Sequence, residues 1–306
     1  MKKVYLHTKF DDKQINTLKQ ISDQYEFVFT DDKDANIIIG HYPAGKLKQF
    51  KNLEWIQSPA VGIDAYIRDN NLAEGVILTN AVDIHSKEVA EHIFAMILSL
   101  IRKFHIYRDN QHKHLWKDEG KVKEITKLKV AIIGFGDIAR ELSLLLKPLG
   151  IYVIGVKRTL IEKPEYVDEL YTDKDLAKAI CDVDVVVSVL PGNKANQYLF
   201  TTETFKLMKP DTIFINAGRG NLYTEETLKE VLDNKIISIF ATDVFEIEPL
   251  DKNSKLWDYD NLVITPHAAG NYKLQSALDK FFELVYENLR RYISNEELLN
   301  EVHERE

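Results

Sequence analysis

The 306-residue chain has a single cysteine, Cys181, so no disulfide can form within it, and nothing in its cysteine usage points to an oxidising compartment. No stretch approaches the ~20 consecutive apolar residues a helix needs to cross a bilayer. The opening ten residues hold too short an apolar run for a secretory signal. The expected location is the cytoplasm, with no membrane partner. Positive charge is also scarce. Against 48 Asp and Glu stand 40 Lys and Arg, a formal net charge of −8, which excludes a general nucleic-acid binder because such a partner needs clustered positive charge to displace counterions. The histidines at 85, 92, 105, 112 and 114 come with neither neighbouring cysteines nor an H-E-x-x-H spacing, so no metal site is expected. Cys181 has no adjacent histidine to activate it and reads as a small buried residue.

What is present is a globular composition, 45% hydrophobic and 29% charged, in a chain long enough for two domains with separate cores. The first ninety residues alternate short apolar runs with polar, helix-compatible segments: 4–6, 25–29, 36–40, 54–57 and 76–79. Runs of this length, separated by a dozen residues or more, predict a parallel sheet covered by helices. A long helix is predicted from Ser86, with Val89, Ile93, Ile97, Leu100 and Phe104 at three- to four-residue spacing, followed by a polar, exposed arm over 104–117. Alternation restarts with runs at 128–133, 151–156, 184–189, 212–216, 236–240 and 262–265, which fit a doubly wound sheet. From Tyr272 to Tyr292 a further helix with an apolar face is expected to return to the first domain and make it discontinuous.

Gly134-Phe-Gly-Asp-Ile-Ala139 follows the 128–133 run directly and opens a helix stopped by Gly150. The first glycine permits a tight turn, and Gly136 lets backbone approach a pyrophosphate at the positive end of the helix, with Phe135, Asp137 and Ile138 around it. Ala139 meets the need for close helix-to-strand packing. The next strand ends in Lys157-Arg-Thr159, where an acidic residue would normally accept from the ribose hydroxyls of NAD. Two cations and a hydroxyl suit a 2′-phosphate, so NADP(H) is the expected cofactor, with NAD(H) the alternative.

Further on, Arg219 lies between Gly218 and Gly220 after a predicted strand, Glu248 precedes Pro249, and His267 follows Pro266 just past the last strand. A guanidinium, a carboxylate and an imidazole at strand ends suit reduction of a small acid. Between Trp55 and Gly270 the chain resembles the D-isomer-specific 2-hydroxyacid dehydrogenase family. The resemblance rests on Val61-Gly-Ile-Asp64, Val89-Ala-Glu91, the glycine-rich turn, the 207–220 segment ending Asn216-Ala-Gly-Arg-Gly220, Asp243-Val-Phe-Glu-Ile-Glu-Pro-Leu250 and Thr265-Pro-His-Ala-Ala-Gly270.

The resemblance implies an α/β fold of two domains: a Rossmann-type doubly wound parallel sheet over 96–269, and a smaller flavodoxin-like α/β substrate domain from 1–95 and 270–306. Closure of a cleft between them would exclude water. It further implies that Arg219 orients a 2-oxoacid, that His267 is the proton donor and that Glu248 hydrogen-bonds the other imidazole nitrogen. Val61 and Gly62 would bind the substrate carboxylate through backbone N–H groups. Asp243 would meet the nicotinamide carboxamide and Ala217 and Gly218 its ring, with Leu190, Pro191, Asn196, Ala269 and Gly270 also along the cofactor. Asn193 and Asn196 stand where the family usually has threonines. Trp55 and Tyr272 are candidates either for shaping the substrate pocket or for packing. The partner expected is a small 2-oxoacid or 2-hydroxyacid, glyoxylate or hydroxypyruvate first, and the assembly a homodimer through the cofactor domain, with 104–120 as a candidate contact. The alternatives are a phosphoglycerate dehydrogenase-like enzyme, which the basic pair fits less well, and a non-catalytic dinucleotide-sensing module on the same fold.

Overall fold

The computed structural model describes residues 1–67, 71–159, 161–270, 272 and 274–303. In chain order the elements are β1 (Lys2–His7), α1 (Asp12–Lys19), β2 (Tyr25–Val28), β3 (Ile37–Gly40), β4 (Trp55–Gln57), α2 (Asp64–Ile67), β5 (Ile77–Thr79), α3 (Ser86–Ile101) and α4 (Phe104–His112). There follow β6 (Lys129–Ile133), α5 (Asp137–Leu146), β7 (Tyr152–Val156), β8 (Glu169–Tyr171), α6 (Leu176–Ile180), β9 (Val185–Ser188), α7 (Thr202–Lys206) and β10 (Ile213–Asn216). The last are α8 (Glu225–Asp233), β11 (Ile239–Thr242), β12 (Leu262–Ile264) and α9 (Gln275–Ile293). Two compact units result, one from Met1–His85 with Tyr272–Glu306 and one from Ser86–Asn271. The first is thus discontinuous.

The dividing point at Ser86 differs from the 95/96 expected from sequence. That position falls inside α3, and α3 buries Val89, Ala90, Ile93, Ile97 and Leu100 in the same core as Leu142 and Leu146 of α5. A helix cannot be cut at its middle when one apolar stripe packs as a unit.

In the first unit five parallel strands run in the order β2-β1-β3-β4-β5. Side chains alternate across the pleat, so Val4, Leu6, Ile37 and Ile39 join Phe281, Val285 and Leu289 of α9 on one face, while Tyr5, Ile38, Ile56 and Leu78 pack with Tyr42, Leu47 and Tyr66 on the other. Trp55 is fully buried, its indole N–H donating to Thr79 Oγ1 at 2.9 Å and its ring stacked on Tyr292, so its role is packing. A buried polar network joins α9 to β4. Asn288 Nδ2 donates to Gln57 Oε1 at 2.8 Å and to the Leu299 carbonyl at 3.0 Å, while Leu299 N–H donates back to Asn288 Oδ1.

The second unit has seven parallel strands ordered β12-β11-β10-β9-β6-β7-β8. Val130 and Ile132 face α3 and α5, while Ala131 and Ile133 face a second core with Ala179, Phe205, Leu228 and Val231 from α6, α7 and α8. Strand order reverses between β9 and β6, the point where open parallel sheets bind ligands at their carboxyl ends.

Several local expectations change. The sheet has a strand beyond the six predicted, β8, whose short Glu169-Leu-Tyr171 edge carries no apolar run. Strand β11 starts at Ile239 rather than Ile236, because Ile236 and Ile237 instead pack beneath α8. The segment read as an arm opens with helix α4, and Asn110 on it is buried and donates to Glu119 Oε1 at 2.7 Å. Cys181, expected to be buried, is exposed just past the end of α6, because that short helix turns only Ala179 and Ile180 inward.

Truncating Asn288→Ala removes the buried donor to Gln57 Oε1 and both bonds to the Leu299 peptide groups, at a cost of roughly 1–3 kcal/mol. Urea denaturation of the variant should show the midpoint lowered accordingly, and Asn288→Asp, which retains the acceptor for Leu299 N–H but loses both donations, should not restore it.

Candidate active site

Six strands of the second unit deliver candidate residues just past their carboxyl ends: Gly134 after β6, Lys157 after β7, Leu190 after β9, Arg219 after β10, Asp243 after β11 and His267 after β12. Parallel pairing makes this automatic, since every strand of such a sheet ends on the same edge. Val61 and Gly62 follow β4 in the first unit.

The imidazole of His267 makes the decisive contact. Its Nδ1 lies 2.7 Å from Glu248 Oε2. A carboxylate only accepts, so Nδ1 carries the hydrogen and Nε2 is the atom at which the titrating proton arrives and leaves. The hydrogen bond to Glu248 raises the His267 pKa above its ordinary value of 6.5, against burial and the Arg219 charge, which lower it. For Glu248, burial acts to raise the pKa, but the hydrogen bonds from His267 and from Phe245 N–H, at 2.8 Å, bring it below the ordinary carboxylate value. Both shifts favour an ion pair. Arg219 is near enough for its charge to lower both values.

Backbone geometry aims these groups. His267 adopts the left-handed region at φ 49°, and its N–H donates to the Asp243 carbonyl at 2.8 Å. Asp243, 1% exposed, accepts through Oδ1 from Thr265 Oγ1 and from Ala268 N–H at 2.7 Å, and through Oδ2 from Ala269 N–H at 3.0 Å. His92 of α3 adds a contact of 3.2 Å from Nε2 to Thr265 Oγ1. The carboxylate therefore winds the 265–269 turn around itself. On the neighbouring loop, Asn216 donates to the Arg219 carbonyl at 2.9 Å and to the Tyr223 hydroxyl at 3.1 Å, and accepts from Gly218 N–H. Burial pushes the Tyr223 phenol up to about 12, so it stays neutral under the loop.

Two glycines fix how these loops meet. A Cβ on Gly218 would lie 2.5 Å from the Leu190 carbonyl oxygen, and one on Gly220 would lie 1.9 Å from the Phe245 carbonyl carbon. Only glycine lets the arginine loop pass so close to the loop bearing Glu248.

The residues expected along a cofactor have the following surroundings. Gly134 has φ 97° and a Cβ there would press on Val189 at 3.1 Å, whereas the space around Gly136 is open. No side chain caps the start of α5, which leaves its first N–H groups, those of Asp137 and Ile138 among them, pointing at that space. The shape fits a dinucleotide phosphate. The Phe135 side chain turns inward, buried against Gly155, so only its backbone belongs to this turn. Arg158 and Thr159 are exposed and Lys157 half-buried; among the described residues neither cation has an ion pair. Asn196 spends its amide on the Pro191 carbonyl at 2.9 Å, shaping its own loop after Leu190. Ala217 N–H is bonded to the Ser188 carbonyl, and Ala269 is buried beside Gly270.

In the first unit, the carbonyls of Pro59, Ala60 and Val61 all accept hydrogen bonds, whereas the N–H groups of Val61 and Gly62 make none among the described residues. Two adjacent backbone N–H groups without a bond of their own are the kind of pair that can bind an anion.

The family model for the NAD binding domain of D-isomer specific 2-hydroxyacid dehydrogenase matches residues 94–269. The chain belongs to this family. It is 28% identical over 249 residues to a glyoxylate reductase of Pyrococcus furiosus, covering 78% of this chain and 72% of the relative. Its fold is similar to that of a D-isomer specific 2-hydroxyacid dehydrogenase family protein from Aeromonas salmonicida, with TM-score 0.87 and 28% identity over 100% of this chain and 99% of the other. It also resembles, at TM-score 0.81 and 24% identity over 99% and 98%, an NADPH-dependent glyoxylate/hydroxypyruvate reductase from Sinorhizobium meliloti solved with NADP and sulfate. Like its relatives, it is an NAD(P)-dependent oxidoreductase acting on small 2-hydroxyacids or 2-oxoacids. Among the described residues no helix is long and apolar enough to cross a membrane.

Sequence reasoning assigned no role to Asn216 or Thr265 and considered His92 only as a metal ligand to be set aside, although each lies within or beside a quoted motif. Their roles depend on partners 3 to 173 positions away.

The raised His267 pKa has a kinetic sign. A reduction in which this ring gives the proton would need it protonated, so its rate would hold at low pH and fall as pH rises through that pKa. Glu248→Gln removes the charge that raises it, and the falling limb of a kcat/KM profile should move to lower pH; an unmoved limb would separate His267 from the titrating step.

Proposed function

We propose that this chain reduces a small 2-oxoacid of the glyoxylate or hydroxypyruvate type to the D-2-hydroxyacid, with NADPH preferred over NADH. The observation that carries this reading is the 2.7 Å Glu248–His267 pair held beside Arg219. A bound nicotinamide dinucleotide supplies the hydride. Arg219 orients the acid through its carboxylate and carbonyl oxygens, and the Val61 and Gly62 N–H groups hold the carboxylate. As the carbonyl oxygen gains negative charge, His267 Nε2 gives it a proton, and Glu248 stabilises the ring in both states. In the reverse direction His267 accepts that proton.

The pyrophosphate belongs at Gly134–Ile138 on the start of α5. Asp243 Oδ2, which accepts from Ala269 N–H, retains acceptor capacity for the nicotinamide carboxamide, next to Ala217 and Gly218, while Leu190, Pro191, Asn196, Ala269 and Gly270 border the same edge. Lys157, Arg158 and Thr159 at the end of β7 suit a 2′-phosphate, and the NADP in the Sinorhizobium neighbour supports that choice.

The assembly we propose is a homodimer through the second unit. Along 104–122, Phe104, Leu115, Trp116 and Val122 are exposed, Trp116 at 103%, and a tryptophan body left wholly in water forfeits its large apolar burial.

Oxidation of NADPH with a panel of 2-oxoacids, followed by chiral analysis of the product, tests the reaction. His267→Ala should lose roughly 10²–10⁴-fold in turnover with cofactor binding retained, and Arg158→Ala should raise the KM for NADPH while leaving that for NADH unchanged. Equal efficiency with NADH in the wild type would overturn the NADPH preference. For the assembly, Trp116→Glu should convert a dimer to a monomer in analytical ultracentrifugation; a variant sedimenting as the wild type does would remove this segment from the interface.

A further inference from the structure

The turn after β4 is gripped by the two residues at which the first unit is interrupted. His85 is the last residue of its first stretch and Tyr272 the first of its second. His85 Nε2 lies 3.0 Å from the Pro59 carbonyl oxygen, and the Tyr272 hydroxyl donates to the same oxygen. A carbonyl only accepts, so His85 carries its hydrogen on Nε2. The two rings meet edge to face with centroids 4.5 Å apart, and Phe281 of α9 backs Tyr272 at 5.2 Å. Tyr272 holds φ 56°, a conformation uncommon for a bulky residue and kept only where surroundings impose it.

We propose that His85 and Tyr272 are positioning residues for the substrate carboxylate, anchoring through the Pro59 carbonyl the start of the turn whose next two peptide planes carry the Val61 and Gly62 N–H groups. This rests on the reading of those two N–H groups as the carboxylate site. In a trans peptide the C=O and N–H of one plane point in opposite directions, so fixing a carbonyl fixes the N–H of the next residue. Pro59 C=O, held by two donors, sets the first plane, whose Ala60 N–H meets Ser58 Oγ at 3.2 Å. Ala60 C=O accepts from Ala81 N–H at 3.1 Å and so turns Val61 N–H the other way. Val61 C=O accepts from Asn80 Nδ2 at 3.1 Å and does the same for Gly62 N–H. Three consecutive planes are pinned from their carbonyl side, which leaves two N–H groups aimed at an anion before one arrives. The clamp acts on the first plane, at the end of the turn where it leaves β4.

Loss of one neutral hydrogen bond here should weaken anion binding about three- to tenfold without touching the chemistry. The probe is oxalate, an unreactive mimic of a 2-oxoacid, titrated by calorimetry into the NADPH-saturated full chain. Tyr272→Phe and His85→Phe keep the rings and remove the donors; both should raise the oxalate Kd and the KM of the best 2-oxoacid, with kcat, the NADPH Kd and the melting temperature unchanged. His85→Gln retains an N–H donor and should return oxalate binding towards the wild-type value. Wild-type oxalate affinity in both phenylalanine variants overturns the proposal, as does parallel loss of oxalate, NADPH and thermal stability, or a wild type that does not bind oxalate at all. Should oxalate bind and weaken as expected while no 2-oxoacid is turned over, the clamp stands and the proposed reaction falls.

Discussion

The buried carboxylate of Asp243 is the constraint on which the rest of the second unit's site depends. A charge that is 1% exposed is costly unless its lone pairs are filled. Here they are filled by Thr265, Ala268 and Ala269, three groups of a single turn. Satisfying the carboxylate and winding that turn are the same event. His267, at the middle of the turn, inherits its left-handed backbone from it, and its ring is thereby brought to Glu248. His92 reaches the Thr265 hydroxyl from α3, so the first helix of the unit also bears on the turn.

The parallel sheet supplies the other half of the design. Because every strand ends on one edge, residues far apart in sequence arrive as a row, and short loops keep them there. The groups that would meet developing charge are then fixed before substrate arrives, so little reorganisation is left for the reaction itself. In the first unit the same economy appears without any side-chain charge: a turn whose carbonyls are all engaged leaves its N–H groups aimed outward.

Much of this was legible in the chain. Apolar runs separated by helical segments gave the two parallel sheets, and the resemblance of the ordered motifs gave the family, because strand-end glycines, Arg219, Glu248 and His267 are local in sequence as well as in space. What could not be read was anything set by a distant partner. β8 escaped notice because its edge position lets Glu169 take polar neighbours, Tyr152 and Tyr171, instead of an apolar run. Ile236 and Ile237 looked like the start of a strand but close the end of α8. Trp55 stood beside the Val61 turn in sequence yet spends its ring on Tyr292, more than two hundred residues away. Phe135 sits within the glycine-rich signature, but Gly155 on the next strand opens a space that draws its side chain inward.

Gly220 gives the loops bearing Arg219 and Glu248 a common fate. With its missing side chain lying where the Phe245 backbone passes, the arginine loop and the glutamate loop are interlocked surfaces, and neither can lengthen, shift or accept a bulkier residue without displacing the other. Changes around Arg219 and changes around Glu248 are therefore not separable steps in sequence space. A substitution that widens one of these loops is tolerated only with a compensating change in the other.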